Sequence, residues 1–566
     1  MCGIWAYIEL IKNTADFQKL FNDFMNIKNR GPDLSSFQTI KNLTIGFHRL
    51  AIMDPNFHAN QPYIIEDNER TIIFVCNGEI YDFKELARNH SLNMTNNSDC
   101  MTIPLLYLKY TQFNLYQETD IKDFSKLFIN EIKGEFAFLL FEFDNLQNLK
   151  QIVAGRDQIG IRPLYWHEPT SNSSGIMFSS EIKGMNNLKD SIQEFEPGTI
   201  IKINFDDFGS VKNGEAFNFN NIYELSDISL TFFKEEEHLE NVRQSVINSI
   251  RRRLCADKPI AFLLSGGVDS SLVAAISSQL LGQPIKTYCC GMNEGTDLLY
   301  ARKVAQHIGS NHTEVFFTPE EGLEAIQDVI WTTETWDTTT IRASVGQYLV
   351  CKHIGTKTDA KVVMVGEGPD EVCSSYLFNY YAPNGDELHK AAKDYVKQIH
   401  MYDGRRADRC ISRWGLEGRI ALLDPEFISS YWSIPSEKRH PKYMDIEKWW
   451  LRHAFAKTNI LPFDVLWRKK EAFSDGISSK EKSWFEIIQD HIKTLVTEEE
   501  FRDKPLGPTI EAHYYKKVFI KYFGEDRLDI LPDYWQPRWN AEGKLNNYVD
   551  PSARTLNVYN NINSEI

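Results

Sequence analysis

Short apolar runs rich in β-branched and aromatic residues mark the first 200 positions. TIIFVC (71–76) and FAFLLFEF (136–143) read as strands, with NG (77–78) and KG (133–134) as the turn signals beside them. PLYW, GIMFSS and TIIKI carry the strand pattern to about Ile203. The polar stretch NFDDFGSVKNGEAFNFN (204–220) then reads as a linker or a surface hairpin, and the domain boundary is expected there.

From about Glu236 the rhythm changes. PIAFLL (259–264), IKTYCC (285–290), TEVFF (313–317) and KVVMVG (361–366) read as strands. SSLVAAISSQLL (270–281), DLLYARKVAQHI (297–308), a segment from about Pro319 to Trp331, and ASVGQYLVCKHI alternate with them as helices. Such alternation predicts a parallel sheet with right-handed crossovers and ligands at the carboxyl ends of its strands. The stretch from Glu371 to Ile566 reads as mostly helical and rich in Trp and Tyr.

A chain of 566 residues with 42% hydrophobic and 25% charged residues fits two or three folded domains of a soluble enzyme. Its net charge of −16 argues against nucleic acid and anionic membranes as partners. No apolar run approaches the roughly 20 residues of a membrane span, and the start MCGIWAYIEL lacks signal-peptide features. The nine Cys have neither zinc-site nor disulfide spacing, so reduced thiols in the cytoplasm are expected.

LLSGGVDSS (263–271) joins a buried strand to a helix. Gly266 and Gly267 allow a tight turn and close approach to a ligand. Asp269, Ser270 and Ser271 open a helix whose free N–H groups and dipole favour a phosphate. No Lys follows the glycines, so this is not the GxxxxGK[ST] loop. GEGPDE (366–371) ends the strand KVVMVG, so its acids are expected at the same sheet edge. At the other end of the chain, Cys2 follows Met1. Removal of that Met would leave a thiol beside its own α-amine, which can serve as its base.

SGGVDSS resembles the PP-loop of ATP pyrophosphatases, which cut ATP between the α and β phosphates. CGI (2–4), RGPD (30–33), HRLAIMD (48–54), NQP (60–62), NGEIYD (77–82) and SDC (98–100) together resemble class II, N-terminal-nucleophile glutamine amidotransferases. In that order, the two halves resemble the glutamine-hydrolysing asparagine synthetase family over nearly the whole chain. ETWDTTTIRAS (334–344), MYDGRRADRCISRWGLEGRIALLD (401–424) and ILPFDVLWRKKEAFSDG (460–476) add to the likeness.

The resemblance implies a two-domain fold. An N-terminal α+β, Ntn-hydrolase-type αββα sandwich would span 2–205 and a linker 206–235. An α/β parallel-sheet PP-loop domain with a helical C-terminal part would span 236–566. It implies Cys2 as nucleophile, Asn77 and Gly78 as oxyanion hole, and a glutamine site of Arg49, Leu50, Ala51, Ile52, Met53, Asn77, Gly78, Glu79 and Asp99. For ATP it implies Leu264, Ser265, Gly266, Gly267, Asp269, Ser270, Cys290, Val365, Gly366 and Asp370, with Asp269 and Asp370 on Mg²⁺. Thr339 and Arg342 would lie near aspartate, Lys470 against the transferring phosphate, and Glu367 would take a proton from ammonia. The implied substrates are glutamine, aspartate and ATP, the implied assembly is a homodimer, and an apolar passage for ammonia is expected.

Some positions depart from the family's usual SGEGSDE and GGY: Val365, Pro369 and the pair Ser374–Ser375. Gly418 and Ala421 stand where Val and Pro are usual, and Asn29 stands where His often precedes RGPD. Two other readings stay open on sequence alone. One is a β-lactam-synthetase-like relative without a working nucleophile, against which Cys2, Arg49 and Asp99 speak. The other is a non-catalytic protein that binds ATP or glutamine and regulates a partner.

Overall fold

The structure is a computed structural model that describes residues 1–11, 15–67, 70–111, 121–167, 174–188, 191–207, 209–225, 234–293, 295–470, 476–478, 482–545 and 550–552. It divides into two compact units. The first holds Met1–Asn221, Cys255–Lys258 and Gly415–Glu417, and the second holds the remainder.

The first unit is built on two antiparallel sheets. The strands are β1 (Gly3–Glu9), β2 (Leu34–Ile40), β3 (Leu43–Arg49), β4 (Tyr63–Asp67), β5 (Arg70–Ile80) and β6 (Gly134–Asp144). They continue with β7 (Leu149–Arg156), β8 (Tyr165–His167), β9 (Gly175–Ser179), β10 (Gln193–Glu194), β11 (Thr199–Phe205) and β12 (Val211–Asn218). One sheet runs β10-β8-β9-β1-β3-β2 and the other β12-β11-β7-β6-β5-β4. Side chains alternate faces along a strand. Ile4, Ala6 and Ile8 therefore share the buried layer between the sheets with Ile73, Val75, Leu139 and Phe141. Phe74, Cys76, Ile80, Phe138 and Leu140 face the other way, onto helices Thr102–Tyr110 and Ile121–Asn130. Helix Phe17–Asn26 packs Phe24 against Trp5 on the outer face of the first sheet. The layers are αββα, as the resemblance implies.

Two local expectations are corrected or refined here. Asn77–Gly78 is not a turn: both residues lie inside β5, opposite Ala137 and Phe136. Gly is required because a Cβ at 78 would come within 2.2 Å of the Glu135 carbonyl oxygen on the neighbouring strand. The polar stretch 204–220 contains β12, which pairs with β11 as an antiparallel hairpin and extends the second sheet.

The second unit carries β13 (Ile260–Leu263), β14 (Lys286–Gly291), β15 (Asn311–Phe316), β16 (Val362–Val365) and β17 (Glu417–Ile420), in the order β15-β14-β13-β16-β17. The pairs β13–β14, β13–β16 and β14–β15 are parallel. Helices Val268–Leu281, Thr296–Ile308, Pro319–Thr333 and Thr338–Lys357 form the crossovers. β17 is a strand within a stretch whose pattern predicted mostly helix. The chain moves outward from β13 through β14 and β15, then returns to place β16 on the other side of β13. That reversal opens a crevice at the carboxyl ends of β13 and β16, the usual ligand position in such sheets.

Candidate active sites of the two units

In the first unit, Cys2 sits at the head of β1, and the β1–β3 pairing Gly3↔His48 sets it beside Arg49 and Leu50. The Leu50 N–H donates to Cys2 Sγ at 3.4 Å. Arg30 donates from Nε to the Cys2 carbonyl at 2.9 Å and pairs with Glu181 at 2.6 Å, both fully enclosed. Arg30 and Glu181 clamp the Cys2 backbone; Arg30 opens the RGPD run, but neither residue was assigned a role from sequence. Asn29 is exposed. With Met1 in place the α-amine is buried and donates to the Leu416 carbonyl at 3.1 Å. Burial takes that amine down to about 5 and pushes the Cys2 thiol up to about 11. A thiol in that state is neutral at pH 7 and a weak nucleophile.

Arg49 is held by the loop that follows it. It donates to the carbonyls of Asn56 (3.0 Å) and Asp54 (2.5 Å) and to Asn60 Oδ1. Nε–H and one Nη2–H have no acceptor among the described residues, which suits capture of a carboxylate. Ala51 N–H is fixed by Asp33 at 2.9 Å, Leu50 and Ile52 are buried, and Met53 is half-buried against the helix-side core. Asp99 is buried and accepts from the Ile80 N–H at 2.6 Å, next to buried Glu79. Asn77 is the most informative residue. It is fully buried on the inter-sheet face that Cys2 also shares, and neither its Oδ1 nor its Nδ2 has a hydrogen-bond partner. Orphaned buried polar atoms are costly, so such a side chain fits a site completed by substrate.

In the second unit, the crevice is lined by Leu264, Ser265, Gly267, Asp269, Ser270, Cys290, Gly366, Glu367, Asp370 and Lys470, all expected from sequence. Gly266 and Val365 lie just behind it. Gly266 has φ +73°, and a Cβ there would come within 2.4 Å of Tyr300. Val365 is buried as the last residue of β16. Gly366 lets its strand end approach the loop, because a Cβ would meet the Ser270 nitrogen at 2.6 Å. Ser270 Oγ accepts from the Ser265 N–H at 3.1 Å and so ties the turn to the helix that starts at Val268. Pro369 opens the short helix Pro369–Val372, where its missing N–H has no intrahelical partner to lose.

The carboxylates are organised by cations. Lys448, fully buried, bridges Asp269 Oδ2 (2.5 Å) and Asp370 Oδ1 (2.6 Å). Lys470 meets Asp370 Oδ2 at 2.5 Å. Burial disfavours the Asp370 charge, but Lys448 and Lys470 overcome it and hold its carboxyl far below the usual range. Lys448 was missed from sequence, since an isolated Lys in DIEKWW carries no motif. Glu367 accepts at Oε1 from Gln347 (2.9 Å) and Arg406 (3.2 Å), leaving Oε2 open to the crevice. Burial raises its pKa against the pull of Arg406. Asp269 Oδ1 is buried without a partner. A hard, orphaned oxygen of this kind suits Mg²⁺ shared with phosphate oxygens. Among the described residues no group of three or more His, Cys, Asp or Glu could hold a metal ion.

Thr339 and Arg342 do not line this crevice, in contrast to expectation. Arg342 is buried and makes paired bonds to Glu511 (2.8 and 2.6 Å) and to Asp550 (2.9 and 2.9 Å). A desolvated guanidinium requires such counter-charge, and this one has its donors committed. The Thr339 hydroxyl is buried without a partner. Of the WRKKEAFSDG motif, residues 471–475 lie outside the described residues.

The Asparagine synthase family profile matches residues 241–542, and the Glutamine amidotransferase domain profile matches residues 1–241. The chain is 37% identical to the glutamine-hydrolysing asparagine synthetase of Gallus gallus, and 36% identical to those of Cricetulus griseus and Homo sapiens. Each match covers 99% of both chains. A solved NMN synthetase from Francisella tularensis aligns with 53% of the chain at 13% identity and a TM-score of 0.25, too low to bear on the argument. No described helix is long and apolar enough to cross a membrane. On this similarity over its whole length, the chain belongs to the glutamine-hydrolysing asparagine synthetase family.

Proposed function

We propose that this protein makes L-asparagine from L-aspartate, L-glutamine and ATP, with β-aspartyl-AMP as intermediate and glutamate, AMP and pyrophosphate as products. The observation that carries this reading is the meeting of a phosphate-cradling loop, two lysines and the half-buried Glu367 at one crevice. The N-terminal unit hydrolyses glutamine. Loss of Met1 moves the α-amine onto Cys2, where it takes the thiol proton, and the thiolate attacks the γ-amide carbon. Asn77 Nδ2 and the Gly78 N–H receive the charge on the carbonyl oxygen, and Arg49, Glu79 and Asp99 hold the amino-acid end.

In the second unit the Ser265–Ser270 turn receives the β and γ phosphates. The aspartate β-carboxylate attacks the α-phosphorus and pyrophosphate leaves. Lys470 and Lys448 offset the negative charge that builds on the leaving group. Asp269 and Asp370 would hold Mg²⁺, which lowers the charge repulsion among phosphate oxygens when bound. Ammonia then attacks the acyl carbon and AMP departs. Glu367 Oε2, made a stronger base by burial, takes the proton from the attacking nitrogen.

The test is product analysis with all three substrates. One AMP and one pyrophosphate should form per asparagine. ADP and orthophosphate in their place would overturn the reading.

A further inference from the structure

The second unit has another large cavity, about 580 Å³ in volume. It lies between helix Gly385–Gln398, the end of helix Pro425–Trp432, and the turn Ser436–Arg439. His389, Lys390, Lys393 and Lys397 line it from one face of the first helix, at the i, i+4, i+8 and i+1, i+4, i+8 spacings that put them in one stripe. Trp432 forms part of the wall, edge to face with His389 at 5.5 Å.

Arg439 closes the cavity floor. Its residue is only 6% exposed, yet it makes no ion pair with any of the described residues. Its single side-chain hydrogen bond runs from Nε to the Ile434 carbonyl at 2.9 Å. Neither Nη atom has an acceptor among the described residues, and Arg439 lines the cavity. Burial lowers the guanidinium pKa to about 10, against the opposing pull of Tyr431, Cys373 and the Asp386 carboxylate. Three carboxylates also border the space, and one of them, Asp386, adds to the field at Arg439. Asp394 pairs with Arg538 at 2.7 Å, Asp386 accepts from Ser436 Oγ at 3.0 Å, and Glu437 accepts from the Gly385 N–H at 2.9 Å.

A buried guanidinium with no ion pair within 4 Å among the described residues is among the costlier arrangements in a protein. Its planar fork, surrounded by lysines, is matched to a tetrahedral phosphate. The cavity also backs onto the acid loop of the crevice. Trp432 Nε1 donates to the Val372 carbonyl at 2.9 Å, at the end of the Pro369–Val372 turn that carries Asp370.

We infer that this cavity is a second anion site, which takes a phosphate group of a small molecule through Arg439 and the Lys390–Lys393–Lys397 stripe. The phosphate belongs either to a free inorganic anion or to a nucleotide whose base meets the His389–Trp432 wall. Occupancy fixes Trp432 and, through it, the turn bearing Asp370.

The test uses the full-length enzyme and equilibrium dialysis. The ATP crevice is first filled with α,β-methylene-ATP, and its binding is recorded separately. An enzyme that takes up no analogue speaks against the ATP reading and not against this one. Radiolabelled orthophosphate, pyrophosphate, AMP and L-aspartate are then added in separate arms. Wild type should bind one further equivalent of a phosphate probe. Arg439→Gln should weaken that binding at least tenfold. Lys390→Glu with Lys397→Glu, both on the exposed helix face, should do the same in a chain whose folding Arg439 does not affect. AMP tighter than orthophosphate by tenfold or more assigns a nucleotide, and equal binding assigns the free anion. No further equivalent in wild type, equal binding by the lysine variant, or binding of aspartate alone would overturn the inference.

Discussion

Lys448→Met tests whether Asp269 and Asp370 are held together by a buried cation. The substitution keeps most of the apolar stem and removes the ammonium. Lys448 Nζ lies 2.5 Å from Asp269 Oδ2 and 2.6 Å from Asp370 Oδ1, so those oxygens are at most about 5 Å apart. At an effective dielectric near 20, two like charges at that distance repel by about 3 kcal/mol. Breaking a buried ion pair from one side costs about 3–5 kcal/mol. Asp370 keeps Lys470 at 2.5 Å and a bond from Ser375, so the lower end is expected, about 3 kcal/mol.

The pH dependence follows from direction. In wild type the folded Asp370 pKa is depressed, so its contribution is present above the unfolded value near 3.9 and is lost only as pH falls. In the variant one of two facing carboxylates is raised instead, a penalty present at high pH and relieved as pH drops. The deficit against wild type should therefore narrow between pH 7 and pH 5. Mg²⁺ should narrow it too, by up to about 2.7 kcal/mol at a hundredfold excess over its Kd. Calorimetry of the full chain at both pH values, with and without Mg²⁺, reads all three effects. A deficit under about 1 kcal/mol, or one unchanged by pH and metal, would refute the reasoning.

Two further substitutions separate function from stability. Asn77→Leu keeps the branched shape and heavy-atom count and removes two buried polar atoms that have no partner, so denaturant unfolding should show stability unchanged or up by as much as about 1 kcal/mol, while glutaminase kcat falls about 10²–10³-fold; a stability loss above about 2 kcal/mol would contradict this. Ser374 has φ +54°, where a Cβ costs about 1–2 kcal/mol and Gly loses part of that gain to entropy, so Ser374→Gly should raise the unfolding free energy by about 0.5–1 kcal/mol, and a measured loss would count against strain at that residue.

What could be read from sequence was what the backbone enforces locally. Gly266 and Gly366 are required by close approach, so SGGVDSS and GEGPDE announce the crevice directly. Strand and helix alternation gave the parallel sheet because each apolar run must bury itself within a few residues. Asn77–Gly78 misled for the same reason: a pair that usually marks a turn serves inside β5, where tertiary contact with Glu135 decides. Long-range charge pairing left no trace. Lys448 reaches Asp269 across 179 positions and Arg30 reaches Glu181 across 151. Arg342 sits in a motif-like stretch, but its partners Glu511 and Asp550 are 169 and 208 residues away.

The central claim is that two chemistries run at two separable sites. Cys2→Ala removes the only thiol assigned to glutamine and leaves Asp269, Glu367, Asp370 and Lys470 untouched. Lys470→Ala removes a cation that bonds Asp370 at 2.5 Å and leaves the first unit untouched. The deciding measurement is asparagine formed by each variant with ammonium salts and with glutamine, alongside glutamate release. Cys2→Ala should lose glutamate release and glutamine-dependent synthesis yet keep ammonia-dependent synthesis near the wild-type rate. Lys470→Ala should lose synthesis from either nitrogen source by a factor of about 10² or more and still release glutamate. A folded Cys2→Ala protein that makes no asparagine from ammonium, or a Lys470→Ala protein that makes it at the wild-type rate, would contradict the account.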